Sequence, residues 1–204
     1  MACKNIFVVE DHTLTNRGIR ELIKDRNYNC VGFAFTKTEA LQKLSELKLE
    51  SNLPDILILD LFLGTESGLD LLTEIKEIYP KIKVICYSMY ENPGIVSLVF
   101  ENKADGFVLK SSSEKELLLA IEKIAAGETY VQQNLISPLL TYRSVYDGLT
   151  KQEQIIFKKL IERKTKQQIV KELNIVQRTL ENYLSRIYMK TGVKNHEELL
   201  YKFG

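Results

Sequence analysis

Short apolar runs alternate with segments of helical periodicity from Lys4 to about Ala126, and this alternation limits the possible folds more than any other feature of the chain. The five runs are IFVVE (6–10), CVGFAF (30–35), DILILD (55–60), KVICYS (83–88) and DGFVLK (105–110). Runs that are apolar at consecutive positions, such as ILIL, are typical of strands covered by helices on both faces. The remaining segments predict helices near 13–26, 36–50, 67–78, 91–102 and 113–126. With right-handed crossovers, these units favour an α/β fold with a doubly wound, five-stranded parallel sheet.

Charged and polar residues stand at the ends of four of these runs. Glu10 and Asp11 close the first run, Asp60 the third, Ser88 the fourth and Lys110 the fifth. Because a doubly wound sheet binds its ligands at the carboxyl edge of the strands, we expect these side chains to converge there. Any one of them can simply mark the point where the chain leaves the core. The ordered set of three acids, a hydroxyl and a lysine is harder to explain in that way.

The expected cluster has a definite chemistry. Carboxylates that lie close together repel one another and are usually neutralised by a hard dication, and an open site with few protein oxygens suits Mg²⁺. The ammonium group of Lys110 can stabilise an anionic group carried by one carboxylate, and Ser88 can donate a hydrogen bond to its oxygens. These parts fit phosphoryl transfer onto an aspartate.

The last quarter of the chain is basic. Residues 1–146 carry 16 Lys and Arg against 20 Asp and Glu, a net charge of −4; residues 147–204 carry 12 against 7, a net charge of +5, which together give +1. The basic segment predicts four helices, of which the first has the capping-box spacing of Thr150 and Glu153. Two further helices, near 165–173 and 177–190, are joined by a short turn, and NHEELLYKF forms the fourth. This arrangement is typical of helix-turn-helix DNA binding, although spacing alone fits a helical dimerisation module about equally.

Composition narrows the class of protein further. Hydrophobic residues make up 45% of the chain and charged residues 27%, which is ordinary for a folded globular protein. The sequence has neither a stretch of ~18 apolar residues nor a leader pattern, so we expect a cytoplasmic protein without a membrane partner. Cys3, Cys30 and Cys86 are odd in number and far apart, so we expect neither disulfides nor structural zinc.

Residues 4–126 resemble the receiver domain of two-component response regulators, which implies a flavodoxin-like fold. The resemblance makes Asp60 the phosphoacceptor, Lys110 the lysine that accompanies it, and Ser88 and Phe107 the switch residues. It also implies that Mg²⁺ is held by Glu10, Asp11, Asp60 and the main-chain carbonyl of Phe62. Two positions depart from the family pattern: Gly64 replaces a usual proline, and Met89 replaces a usual small residue. Neither departure removes a catalytic group, so we expect any effect to be on kinetics.

Residues 149–204 are similar to the LuxR-type helix-turn-helix domain that ends regulators of the NarL/FixJ class, a small all-α four-helix domain. The similarity rests on the LT..E motif from Leu149, the I..EL motif from Ile169 and RTLENYLSRIYMKTGVKN at 178–195. It implies groove-facing residues Arg178, Thr179, Glu181, Asn182, Ser185 and Arg186, and phosphate-contacting residues Lys166, Lys190 and Lys194. Arginine can pair with guanine and asparagine with adenine, whereas lysines supply the salt-dependent part of binding.

The DNA-binding segment departs from the family at three positions. Glu181 stands where lysine is usual, Tyr183 where histidine is usual, and Val176 where a capping serine is usual. A carboxylate near phosphates is repulsive unless it accepts a hydrogen bond from a cytosine amino group. The missing cap is expected to cost about 1 kcal/mol of helix stability. We therefore expect DNA binding with an unusual sequence preference.

The two resemblances together predict three segments and one function. The segments are a receiver domain over 1–130, a linker over 131–147, which lacks periodicity and contains Pro138, and a DNA-binding domain over 148–204. The function is that of a transcription regulator whose Asp60 is phosphorylated by a sensor histidine kinase, which promotes homodimerisation and binding to double-stranded promoter DNA. Such a protein is not an enzyme, beyond assisting phosphoryl transfer onto its own aspartate and the slow hydrolysis of the product.

Other functions account for fewer of the residues described above. A phosphatase that uses Asp60 as nucleophile would want a general acid two residues later, where Phe62 stands. A P-loop nucleotidase would need GxxxxGK followed by Ser or Thr, and a flavodoxin-type flavin protein would need neither the acidic cluster nor Lys110. A regulator whose switch is constitutive, or driven by protein contacts, keeps the same fold.

Overall fold

The computed structural model describes residues 4–26 and 28–203; Cys3, one of the three cysteines considered above, lies outside them. The chain divides into two compact units. The first comprises Met1–Met89 and Val99–Gln132, and the second comprises Tyr90–Leu98 and Gln133–Gly204. Among the described residues, no helix is both long enough and apolar enough to cross a membrane.

The first unit is built on a parallel sheet. Its strands are β1 (Asn5–Val9), β2 (Asn29–Ala34), β3 (Ile56–Leu59), β4 (Phe62–Leu63), β5 (Glu66–Ser67), β6 (Lys83–Ser88), β7 (Gly106–Leu109) and β8 (Tyr130–Val131). Six of them form one sheet in the order β2-β1-β3-β6-β7-β8, and each neighbouring pair is parallel. The predicted α/β fold is confirmed, but the predicted count of five strands is wrong. Since β8 has only two residues, it is too short to be recognised as an apolar run.

Helices alternate with these strands along the chain, at the positions that the sequence predicts. They are α1 (Thr13–Asp25), α2 (Lys37–Leu49), α3 (Gly68–Ile78), α4 (Pro93–Glu101) and α5 (Glu114–Ala125). The hydroxyl of Thr36 accepts a hydrogen bond from the Glu39 amide at the start of α2, and Ser67 caps α3 in the same way. On one face, α1 and α5 pack through Ile19, Ile23 and Ile121 against buried strand residues such as Ile58. Glu10, Asp60 and Lys110 follow the carboxyl ends of β1, β3 and β7.

A short hairpin follows the third strand of the sheet. Strands β4 and β5 pair antiparallel through Phe62↔Ser67 and Leu63↔Glu66, which leaves a two-residue turn of Gly64 and Thr65. Gly64 has a φ of +63°, as the first position of a type II′ hairpin turn requires. Proline is fixed near −65° and cannot adopt this conformation. The turn therefore explains why glycine replaces the proline that is usual at this position.

The second unit is helical. The helices that follow α5 along the chain are α6 (Gln133–Asp147), α7 (Lys151–Ile161), α8 (Lys166–Leu173), α9 (Gln177–Thr191) and α10 (His196–Phe203). The expected capping box of Thr150 and Glu153 is present at α7. Helix α8 ends at Asn174 and α9 ends at Gly192, both in the left-handed conformation. The rings of Tyr142, Phe157 and Phe203 contact one another in the core of this unit.

Most of the predicted linker is helical. Helix α6 covers residues 133–147 and contains Pro138, whose nitrogen cannot donate the hydrogen bond that would continue the helical ladder. Two apolar residues seven positions apart, Leu135 and Tyr142, are buried on one side of α6. Burial of this face keeps the segment helical in spite of the proline and of its weak periodicity.

Candidate functional site

The acidic residues meet where the strand order reverses. Strand β1 lies between β2 and β3, and Val9 is paired with Leu59, so Glu10 and Asp60 leave adjacent strands at the same level. Both residues are almost completely buried, at 1% and 3% exposure, whereas the side chain of Asp11 is 25% exposed. This reversal point at the carboxyl edge is where doubly wound sheets bind ligands.

Lys110 lies between two of these carboxylates. Its Nζ is 2.7 Å from Asp60 Oδ2 and 2.6 Å from Glu10 Oε2, and only 8% of its side chain is exposed. The Lys110 amide donates to the Ser88 carbonyl oxygen at 2.8 Å, so the lysine is fixed to the neighbouring strand. The result is a buried ammonium group held at a defined position beside Asp60.

Burial and pairing shift the ionisation of this cluster. Burial raises the pKa of Glu10, against the opposing effect of the nearby Lys110 ammonium. Burial by itself lowers the pKa of Lys110, but its hydrogen bonds with Asp60 and Glu10 outweigh that effect and the pKa is raised. Lys110 is therefore protonated at neutral pH and supplies a fixed positive charge.

His12 is a member of this cluster that sequence reasoning did not select. Its Nδ1 lies 2.9 Å from Asp11 Oδ1 and 3.2 Å from Glu10 Oε1, and its amide donates to the same Glu10 oxygen. Glu10, Asp11, His12 and Asp60 each offer one ligand atom, and these atoms all lie within 4.8 Å of one another. The signal in the sequence was its position next to the acidic pair. This cluster can hold a cation.

The other predicted residues of the receiver lie around this edge. Ser88 is the fully buried last residue of β6 and is paired with Leu109 of β7. Phe107 is also fully buried, in the middle of β7. The amide of Phe62 donates to Asp60 Oδ1 at 3.1 Å, which fixes one oxygen of that carboxylate. Met89 is exposed.

Helix α9 presents a polar face. Leu180, Leu184 and Ile187 are buried on one side of it. On the other side the predicted groove-facing residues are exposed, apart from the half-buried Thr179: Arg178, Glu181, Asn182, Ser185 and Arg186. Glu181 accepts a hydrogen bond from Gln177 at 3.3 Å. The spacing of the exposed residues places them on one helical face, which is the geometry that a groove-reading helix needs.

The predicted phosphate-contacting lysines differ in their surroundings. Lys166 and Lys194 are exposed. The Nζ of Lys190 lies 2.6 Å from Oε2 of Glu153, a carboxylate that is 2% exposed and also accepts a hydrogen bond from the Thr150 amide. Burial of Glu153 raises its pKa, but its bonds to Lys190 and Thr150 outweigh that effect and lower it overall. Lys190 thus stabilises the fold of the second unit.

A receiver-type acidic site on a doubly wound sheet, followed by a helix-turn-helix unit, defines a class of DNA-binding regulator, and comparison with known proteins agrees. Residues 6–122 match the response regulator receiver domain, and residues 147–203 match the bacterial regulatory proteins of the luxR family. The chain belongs to the response regulators, with a receiver domain and a LuxR-type DNA-binding domain, as the sequence predicted.

Individual relatives are similar to this chain over most of its length. The oxygen regulatory protein NreC of Staphylococcus aureus (strain JH9) is 28% identical over 96% of this chain and 94% of its own. RcsB of Salmonella enterica serovar Typhimurium, solved with promoter DNA and phosphomimetic BeF₃⁻, is 26% identical with a TM-score of 0.70, covering 98% of this chain and 97% of its own. A LuxR-family response regulator from Aurantimonas sp. SI85-9A1 is 28% identical with a TM-score of 0.64, covering 70% and 99%.

Proposed function

We propose that phosphorylation of Asp60 controls DNA binding by this regulator. The observation that carries the proposal is the placement of the Lys110 ammonium 2.7 Å from Asp60 Oδ2, beside two further carboxylates. A sensor histidine kinase, or a small phosphodonor, supplies the phosphoryl group. Its bond to the donor atom breaks, and a bond from phosphorus to an Asp60 carboxylate oxygen forms.

The acidic cluster fits Mg²⁺, a hard cation that prefers oxygen ligands. The residues that would hold it are Glu10, Asp11, Asp60 and the main-chain carbonyl of Phe62. When bound, the cation neutralises the carboxylates and the phosphoryl oxygens. His12 contacts both Glu10 and Asp11 and restrains their carboxylates.

The chain itself contributes positioning and charge. Phe62 orients Asp60 through its amide, and Lys110 stabilises the negative charge that the phosphoryl group brings. Ser88 then donates a hydrogen bond to a phosphoryl oxygen, and Phe107 changes its packing in response. Water later cleaves the same phosphorus–oxygen bond and releases phosphate. These steps serve signalling, so we do not expect turnover of an external substrate.

We propose that phosphorylation promotes a homodimer that binds promoter DNA. Two copies of α9 would read half-sites one DNA turn apart, roughly 34 Å. The exposed face from Arg178 to Arg186 would contact bases, and Lys166 and Lys194 would contact phosphates. Lys190 can join them only by sharing its bond with Glu153. This role implies a cytoplasmic protein.

The domain boundaries proposed for this function are 1–130 for the receiver, 131–147 for the connection and 148–204 for the DNA-binding domain. The match of residues 6–122 and 147–203 to two separate families supports them. Most of the proposed connection is helical, since α6 covers residues 133–147.

Light scattering and DNA binding test the proposal on the same samples. Wild type and Asp60→Ala are compared with and without Mg²⁺ plus BeF₃⁻ or acetyl phosphate. We expect a dimer, and tighter DNA binding, only for wild type with both additions. Identical behaviour of the two proteins would exclude control through Asp60 and favour a constitutive regulator.

A further inference from the structure

A glutamine side chain continues the sheet at the point where its last strand ends. Strand β8 pairs with β7 through Gly106↔Tyr130 and Phe107↔Val131, and the next residue is Gln132. Its Oε1 accepts a hydrogen bond from the Leu109 amide at 2.8 Å. Gln132 therefore supplies the acceptor that a longer β8 would have supplied from its main chain.

The other end of the same amide is also bound. Gln132 Nε2 donates to Ser112 Oγ at 2.6 Å, and the Ser112 amide donates to the Leu109 carbonyl oxygen at 3.0 Å. Gln132 is 8% exposed, so its side chain spans the Leu109–Ser112 turn in a buried position. A buried amide that satisfies two partners strongly favours one arrangement of the residues it joins.

The turn that Gln132 holds carries the lysine of the phosphorylation site. Leu109 and Ser112 flank Lys110, whose amide is bound on its other side to the Ser88 carbonyl oxygen. The main chain at Lys110 is thus fixed from both sides. Its Nζ reaches Asp60 and Glu10 at 2.7 and 2.6 Å, and such short ion pairs are sensitive to small displacements.

We propose that Gln132 is a positioning residue for Lys110, holding the Leu109–Ser112 turn so that the ammonium group meets Asp60. This inference rests on the proposed phosphorylation of Asp60. Gln132 is also the last residue of the first unit, and Gln133 begins α6.

The rate of phosphorylation by acetyl phosphate and Mg²⁺ tests this role, with intact mass as the readout. Gln132→Leu keeps the bulk of the side chain but removes both hydrogen bonds, and we expect phosphorylation to slow roughly tenfold. Gln132→Glu still accepts from the Leu109 amide and can accept from the Ser112 hydroxyl, so it should restore most of the rate. Gln133→Leu, at the exposed neighbouring position, is the matched control and should react like wild type.

A double-mutant cycle separates positioning of Lys110 from a general effect on folding. On a Lys110→Ala background, Gln132→Leu should cause no further slowing, because the group that it positions is already absent. Equal slowing on both backgrounds, or a wild-type rate for Gln132→Leu, would overturn the inference. Amide hydrogen exchange gives an independent readout, since the Leu109 amide should exchange faster in Gln132→Leu and unchanged in Gln133→Leu.

Three further outcomes separate failure of the positioning role from failure of the proposed function. If Gln132→Leu does not fold, Ser112→Ala removes one of the two bonds and should slow the reaction roughly two- to threefold, only when Lys110 is present; a wild-type rate would contradict the proposal. If wild type gains no phosphoryl group, or if Asp60→Ala gains as much, the proposed function itself fails. Phosphorylated wild type with an unaffected Gln132→Leu variant rejects the positioning role alone.

Discussion

At the scale of single residues, two lysine–carboxylate ion pairs have different roles, one in the proposed signalling and one in folding. Lys110 is held beside the carboxylate of the proposed phosphoacceptor, whereas Lys190 is held by Glu153 inside the helical unit. The sequence predicted a functional role for both lysines. It does not show which carboxylate pairs with each lysine, because that depends on the fold. Glu153 also accepts a hydrogen bond from the Thr150 amide in the capping box at the start of α7, so the ion pair of Lys190 is part of the helical unit's own structure.

Replacement of Glu153 tests this structural role. A carboxyl group whose pKa is lower in the folded state than its ordinary 4.5 stabilises the fold above that value and loses this contribution as the pH falls through the lowered pKa. Glu153→Gln should therefore reduce the free energy of unfolding by about 1–3 kcal/mol at pH 7. The difference from wild type should shrink below pH 4.5, as measured by urea unfolding across pH. Glu197→Gln, at an exposed position of α10, is the control, and an equal loss in both variants would argue against the role of the ion pair.

At the scale of elements, the sequence predicted the helices and strands that bury regular apolar faces, and missed those held by few residues. The strands from β1 to β7 of the main sheet follow from consecutive apolar runs, whereas β8 depends on two residues and on pairing with a distant strand. Helix α6 was missed because Pro138 argues against a helix and its buried face offers only Leu135 and Tyr142. His12 and Gln132 act through contacts that only the folded chain creates.

Two glycines of the first unit should respond in opposite ways to the same substitution. A Cβ at Gly68, the first residue of α3, would lie 2.2 Å from the main-chain oxygen of Asp60 and 2.6 Å from the Cα of Leu61. Because main chain cannot move aside easily, Gly68→Ala should destabilise the fold by about 1–3 kcal/mol and slow phosphorylation of Asp60. At Gly18, within α1, a Cβ would meet no described atom within 4 Å, so Gly18→Ala should stabilise by about 0.5–1 kcal/mol. Thermal unfolding measures the stability of both variants relative to wild type. A loss of stability in Gly18→Ala, or no loss in Gly68→Ala, would contradict this account.

At the scale of the whole molecule, the two proposed functions belong to segments of opposite net charge. The acidic residues 1–146 carry the proposed phosphorylation site, and the basic residues 147–204 carry the helix-turn-helix. On duplex DNA, the logarithm of the binding affinity falls linearly as the logarithm of the salt concentration rises. Each phosphate that a lysine or arginine neutralises makes the slope of this line steeper by about 0.9. A dimer makes each contact twice, so the salt dependence reports how many copies of the chain bind one site.

Wild type with Mg²⁺ and BeF₃⁻ should show about twice the slope that it shows without them, while Asp60→Ala keeps the lower slope under both conditions. Lys194→Gln should reduce the slope by about 1 in the unphosphorylated protein and about 2 in the activated one. Fluorescence anisotropy over a salt series measures both slopes. A slope unchanged by BeF₃⁻ would mean that activation alters affinity without changing the number of chains on the DNA, because a second DNA-binding unit cannot join the complex without releasing counterions of its own.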